Sequence, residues 1–162
     1  MSIFVKYDGI IGQVSDAGHK GWMNMHQLRW SLGRLITSAP STRGDRESSN
    51  TEATDVMMTR LVDDATPALF AEACCGKGKD VEIHLTKTGK GDGAEVYMAY
   101  RLKNCLISKY AVSCSARHKN RPTELIKISF THIEVRYTSF DDKGIPITSA
   151  SKGFDMATNM VA

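Results

Sequence analysis

The 162-residue sequence predicts a mainly β protein, a sandwich or a barrel, with one short helix set among its strands. Three observations carry this. Apolar and polar residues alternate at a period of two through most of the chain. Glycine- and aspartate-containing turn signals divide these stretches into about seven or eight strands. One segment, Val62–Lys77, breaks the pattern with helical spacing.

Ser2–Tyr7 sets Ile3, Val5 and Tyr7 against Phe4 and Lys6, and Asp8-Gly9 and Gly12 mark turns. Trp22–Ile36 reads as a long strand, with Leu28, Trp30 and Leu32 toward the core and Arg29, Ser31 and Gly33 opposite. Gly33 within it predicts a bulge or a close backbone approach. Ser38–Thr54 has no apolar period and is rich in Ser, Thr, Gly and charge, so it reads as a long polar loop, functional or disordered. It contains Arg43-Gly44-Asp45, the tripeptide integrins read, a match too short to stand above chance. Asp55–Val62 is a strand with Val56, Met58, Arg60 and Val62 on one face.

The helix follows. Thr66 is placed to cap it, and Pro67 fits the first helical position, where a missing N–H costs nothing. Asp63 and Asp64 complement the positive end of the dipole, and Gly76 stops the helix. Ala68, Leu69, Phe70, Ala73 and Cys74 form its expected apolar face.

Beyond it, Asp80–Lys87 directs Val81, Ile83 and Leu85 inward and Glu82, His84 and Thr86 outward. Gly89–Gly93 is a hairpin turn, and Ala94–Cys105 carries Val96, Met98, Tyr100 and Leu102 on one face. Leu106–Cys114 reads as a further strand or a continuation. Leu125–Tyr137 changes phase, which a β-bulge near Thr131–His132 would repair. Asp141–Gly144 is a turn, and Ile145–Ala162 a tail of weak strand character.

Length fits a single domain, 1–162. The 21 basic and 18 acidic residues are too balanced and scattered to suggest nucleic acid. No apolar run approaches the roughly 18 residues of a membrane span. Lys6 and Asp8 interrupt the amino-terminal apolar stretch, so it is not a secretory signal. Cys74, Cys75, Cys105 and Cys114 suit neither a zinc nor a redox motif and are expected as buried small hydrophobes. Gly89–Ala94 fits G-x-G-x-x-A but precedes a strand, so the hairpin reading prevails. No histidine stands at ligand spacing to another histidine or a cysteine, and there is no phosphate loop or nucleophile elbow. No catalytic, metal or cofactor-binding residue is assigned, and the protein is not expected to be an enzyme. Trp30 is expected in the core, and Trp22 at its edge or an interface.

The order of these segments resembles the haemolysin-coregulated protein (Hcp) family, the tube subunit of the type VI secretion system. The resemblance spans nearly the whole chain. It rests on Ile3–Tyr7 with Gly9–Gly12, on Leu28–Gly33 and the polar loop, and on Met58-Thr59-Arg60 running into Asp63–Leu69 and Gly76-Lys77. Arg121-Pro122-Thr123-Glu124 and Gly153-Phe154-Asp155 complete it. The resemblance implies a two-sheet antiparallel β-barrel with one flanking α-helix at about residues 66–75 and an extended loop at about 38–54. It implies homohexameric rings stacked into a secreted tube, a spike protein at the tip, a contractile sheath and baseplate proteins around it, and effectors in the lumen. Export from the bacterial cytoplasm would then need no signal peptide. Arg29 and Ser31, opposite the core face, become candidates for lumen and effector contact. Arg43, Asp45, Arg46 and Glu47 become candidates for ring stacking. The loop is charged where some members are glycine-rich, and the fold does not require Cys74 or Cys75. Some members carry a toxin domain after the barrel, and a sequence ending at Ala162 leads one to expect none. The alternative is a monomeric β-barrel ligand-binding module without enzymatic activity, with a pocket near Trp22 or Trp30.

Overall fold

A computed structural model describes residues 1–37, 47–89 and 93–162. In chain order the strands are β1 (Ser2–Tyr7), β2 (Met23–Met25), β3 (Gln27–Arg29), β4 (Leu32–Gly33), β5 (Ile36–Thr37), β6 (Glu47–Ser48), β7 (Glu52–Ala53) and β8 (Val56–Leu61). After the helix α1 (Thr66–Cys75) come β9 (Lys79–Thr88), β10 (Ala94–Ser113), β11 (Thr123–Ser129), β12 (His132–Phe140), β13 (Pro146–Asp155) and β14 (Met160–Val161). Every strand pairing is antiparallel.

Two sheets share β10. The first runs β2-β1-β9-β10-β12-β13-β14, and the second β10-β11-β8-β3. Their inner faces meet in one core. Val5, Tyr7, Met23, Met25, Val81, Ile83, Leu102 and Ile133 come from the first, and Val56, Met58, Ile107, Ile126 and Ile128 from the second. Alternation along each strand supplies these residues, because successive side chains point to opposite faces. Two corners join the sheets. At one, β2 passes into β3 through His26, whose N–H donates to Thr59 O at 2.8 Å. At the other, β10 bends at Asn104, whose φ of 54° lies in the left-handed region that Asn tolerates better than most residues. The register of β10 on β9 shifts there, between Leu102 and Cys105. The chain, not an unbroken ladder, turns these corners.

Several expectations need correction. The predicted long strand Trp22–Ile36 is four short ones, because the chain turns a corner at His26 and leaves the barrel after Arg29. Leu28 and Trp30 pack against the core, but Leu32 lies beyond it and is exposed. Gly33 shows no close approach; a methyl group there would meet nothing within 4 Å. The stretch 47–54 is the return leg of a two-stranded arm. There β4 pairs with β7 and β5 with β6, fixed by Ser49 N–H to Leu35 O and Thr54 N–H to Ser31 O, both 2.8 Å.

The phase change at Thr131–His132 is a change of sheet. Strand β11 belongs to the second sheet and β12 to the first, and Thr131 N–H donates to Lys103 O at 3.2 Å beside the β10 corner. Leu106–Cys114 continues the preceding strand as far as Ser113. The carboxy-terminal tail holds a ten-residue strand, β13, opposite β12. The turn between them is as expected: the Asp141 carboxylate accepts from the N–H groups of Lys143 (2.9 Å) and Ile145 (2.8 Å), with Gly144 at φ 81°. Thr86 is buried rather than outward, its hydroxyl donating to Ser2 O where β10 carries a bulge.

The helix has the expected span but different ends. Thr66 is its first residue and not its cap. The Asp63 carboxylate instead accepts from Ala65 N–H at 2.8 Å, and Thr66 Oγ1 accepts from Asp63 N–H at 3.0 Å. Gly76 ends the helix with φ −64° and ψ 155°, an extended conformation open to any residue. Glycine suits it for space, since a Cβ would collide with Glu72. Leu69 is buried and Ala68 and Ala73 pack on the core, whereas Phe70 is 57% exposed and Cys74 is exposed. Of the four cysteines only Cys105 is buried, and burial pushes its thiol up to about 12. Cys105 and Cys114 bracket eight residues of nearly continuous strand, a separation of roughly 30 Å.

Candidate functional site

The segments that carried the resemblance converge on one buried polar cluster. Arg60 of β8 is 1% exposed and Glu124 of β11 is 0% exposed. Arg60 Nη1 donates to Glu124 Oε1 at 2.7 Å, and its Nη2 pairs with Asp63 at the start of the helix. Tyr110 of β10 donates to Glu124 Oε2 at 2.7 Å, and Thr66 Oγ1 donates to Glu124 Oε1 at 3.2 Å. Burial, aided by this carboxylate, pushes the Tyr110 phenol up to about 12. The cluster ties two strands of the second sheet, β10 and the helix to one another. A cleft of about 380 Å³ opens beside it, lined by Gln13, Asp16, Asn24, Asp63 and Arg121 among others. The charge of Arg60 there is already matched from within by Glu124 and Asp63.

A second buried cluster lies on the first sheet. Residues 12–22 lap over β1, held by Gly12 N–H to Gly21 O (2.7 Å) and Val14 N–H to Trp22 O (3.0 Å). This lap buries His19 stacked on Phe4, with ring centroids 4.5 Å apart. His19 Nδ1 contacts Asp16 Oδ2 at 2.8 Å, and its Nε2 shares a proton with His84 Nδ1 at 3.0 Å. The Trp22 ring lies 4.6 Å from that of His84. Burial and the neighbouring His19 hold His84 down at about 4. Trp22 thus packs outside the core, on the outer face of the first sheet, whereas Trp30 sits half-buried against the core with its ring 5.6 Å from Tyr100.

The outer face of the second sheet holds both sequence-predicted contact residues. Arg29, Ser31, Asp55, Met57 and Lys127 line a cleft of about 450 Å³ there, with Trp30 and Thr54. Arg29 is exposed at the end of β3. Ser31 starts the arm; its N–H donates to Thr54 Oγ1 at 2.8 Å, and the two hydroxyls meet at 3.2 Å. Of the stacking candidates, Arg43, Asp45 and Arg46 lie outside the described residues, as does the Arg-Gly-Asp tripeptide, and Glu47 forms β6 opposite Thr37. Sequence reasoning missed Arg60–Glu124 as a pair and His19–His84. Arg60 in an otherwise apolar strand face was the available signal for the first.

Among the described residues no group of His, Cys, Asp and Glu could hold a metal ion, and no helix is long and apolar enough to cross a membrane. The large apolar side chains that stand exposed include Leu32, Leu35 and Ile36 on the arm, Phe70 on the helix, and Tyr137, Ile145 and Ile147 on the β12–β13 hairpin. Most of β13 has no strand on its outer side, since β14 pairs only with Phe154 and Asp155. Exposed apolar surface and an open strand edge are both features that soluble chains ordinarily cover or blunt.

The architecture defines an antiparallel two-sheet β protein with a lateral helix and a projecting arm. The chain belongs to the Hcp family: the family profile described as "Type VI secretion system effector, Hcp" matches residues 4–137. Among solved structures, a type six secretion system protein superposes with a TM-score of 0.90 at 21% identity, covering 99% of both chains. Hcp1 from Salmonella typhimurium gives 0.78 at 20% identity, again over 99% of both. A type VI secretion system effector from Yersinia pestis gives 0.67 at 23% identity, over 94% of this chain and 98% of that one. Comparison with curated proteins returns no significant sequence match. The protein is a type VI secretion Hcp protein of mainly β fold.

Proposed function

We propose that this chain is the building block of a type VI secretion tube. Six copies form a ring, rings stack into a tube tipped by a spike protein, and a contractile sheath on its baseplate expels it from the bacterial cytoplasm without a signal peptide. Effectors travel in the lumen, and the role is structural rather than enzymatic. Family membership supports this reading, and the observation that carries it is the arm. Its legs, 31–37 and 47–54, leave the barrel and hold Leu32, Leu35 and Ile36 in solvent, Leu35 at 70% exposure. A monomer has no use for such a ribbon, whereas a stacked ring has a neighbour to receive it. Arg29 and Ser31 face the lumen in this reading, and Arg43, Asp45, Arg46 and Glu47 belong to the stacking contact.

Electron microscopy of the purified chain tests it. The wild type gives rings that stack end to end as concentration rises, and Leu35→Asp/Ile36→Asp gives single rings. Wild-type particles with neither ring nor stack would overturn the reading and favour a monomeric ligand-binding barrel.

A further inference from the structure

Along the outer face of the second sheet, one row crosses four strands. Arg29 of β3 is opposite Met57 of β8, Met57 is opposite Lys127 of β11, and Lys127 is opposite Lys109 of β10. Neighbouring strands lie about 4.8 Å apart, so three cations stand within about 15 Å. Lys109 and Lys127 face each other directly, an arrangement that costs stability when both are charged. The described residues offer none of the three an ion pair. Among the described residues lining the cleft the carboxylate is Asp55, which accepts a hydrogen bond from Ser108. The opposite sheet treats its charges differently: on its outer face Lys6, Glu82, Arg101 and Glu134 alternate in sign along a row, with Arg101 bonded to Glu82 at 2.7 Å. The first-sheet row thus mixes signs, whereas the row Arg29–Lys127–Lys109 beside the Arg29–Ser31 cleft carries one sign.

We infer that this row is a docking surface for acidic protein, so that the tube prefers effectors presenting clustered Asp and Glu. The inference rests on the tube reading, which turns this face to the lumen and repeats the row once per subunit. Each cation is too exposed to bind strongly alone; a row repeated around a ring gives avidity and a fast, salt-sensitive encounter. Met57 and Leu125 lie between and beside the charges on the same face, supplying apolar area that suits a folded protein partner. Single-stranded nucleic acid fits less well, because Trp30, the aromatic ring of this cleft, is packed against Tyr100 and is not free to stack on bases.

The test measures fluorescence anisotropy of a labelled Glu-Ser repeat peptide of about 20 residues on the purified protein, with light scattering on the same samples. A Lys-Ser peptide and an oligothymidine of similar length serve as comparisons. Intact rings bind the Glu-Ser peptide, reject the Lys-Ser peptide, and weaken by about tenfold on raising salt from about 50 to about 300 mM. Lys109→Glu/Lys127→Glu and the milder Lys109→Gln/Lys127→Gln abolish binding. Lys119→Glu/Lys143→Glu, with the same change of net charge on exposed loops, leaves it intact. Rings that ignore the Glu-Ser peptide, bind it equally in both charge-reversed variants, or prefer the oligothymidine overturn the inference while the tube reading stands. A monomer that still binds the peptide through Lys109 and Lys127 overturns the tube reading and leaves the acidic-partner assignment. A monomer that does not bind overturns both.

Discussion

At the scale of residues, Arg60 and Glu124 carry the greatest consequence. Each is buried and pairs its charge with the other, Arg60 also with Asp63, while Glu124 accepts further from Tyr110 and Thr66. Removing one partner of such a pair costs about 3–5 kcal/mol, because the remaining charge is stranded away from water. Arg60→Met is expected to lose that much in urea unfolding, and Arg60→Met/Glu124→Leu to recover part of it. A single substitution costing under about 1 kcal/mol would contradict the assignment. His84 gives a second prediction. Its folded value of about 4 lies below its ordinary 6.5, so between those values the unfolded chain binds more protons than the folded one. Stability should therefore be unaffected by this group above about pH 6.5, fall as pH drops toward 4, and level off below. Asp16, His19 and Glu82 face the ring, with Arg101 and Arg136 behind. Melting scans of wild type and His84→Gln isolate the contribution, each kcal/mol appearing as about 2–4 °C. Parallel curves for the two proteins across that window would exclude it.

At the scale of elements, period-two alternation made β1, β8, β9 and the first half of β10 legible, because one face of each meets the core. The helix was legible from Thr66, Pro67 and Gly76, although Thr66 proved to be its first residue and Ala65 stands at the cap position without a side-chain cap. The arm was not, and the reason is physical. Strands β4 and β5 are exposed on both faces and β7 reaches the core only through Ala53, so no hydrophobic period is imposed, and the returning leg reads as polar loop. Likewise β13 read as a weak tail because seven of its ten residues are exposed. Corners were also hidden. The phase change after Phe130 was visible, but alternation alone does not separate a bulge from a change of sheet. The contact residues divided the same way: strand alternation put Arg29 and Ser31 opposite the core, while Lys109 and Lys127 became partners only through the register of β10 and β11. The stacking loss expected for Leu35→Asp/Ile36→Asp belongs to this scale. Burying a Leu or Ile side chain contributes about 1.5–3 kcal/mol, and each subunit of a ring would forfeit two. Substitution on the arm leaves the barrel intact, since neither side chain reaches the core.

At the scale of the whole molecule, the surfaces that the core leaves open include the arm, the outer edge of β13 and the exposed side of the helix with Phe70. In the proposed tube, these surfaces serve the contacts within a ring and between stacked rings. The native mass of the purified protein, by light scattering coupled to size exclusion, tests this most directly. Six subunits of 17.8 kDa predict about 107 kDa, held across dilution at physiological salt. A mass of one subunit that persists at high concentration and low salt would contradict the ring, and with it the claim that these surfaces are built for assembly.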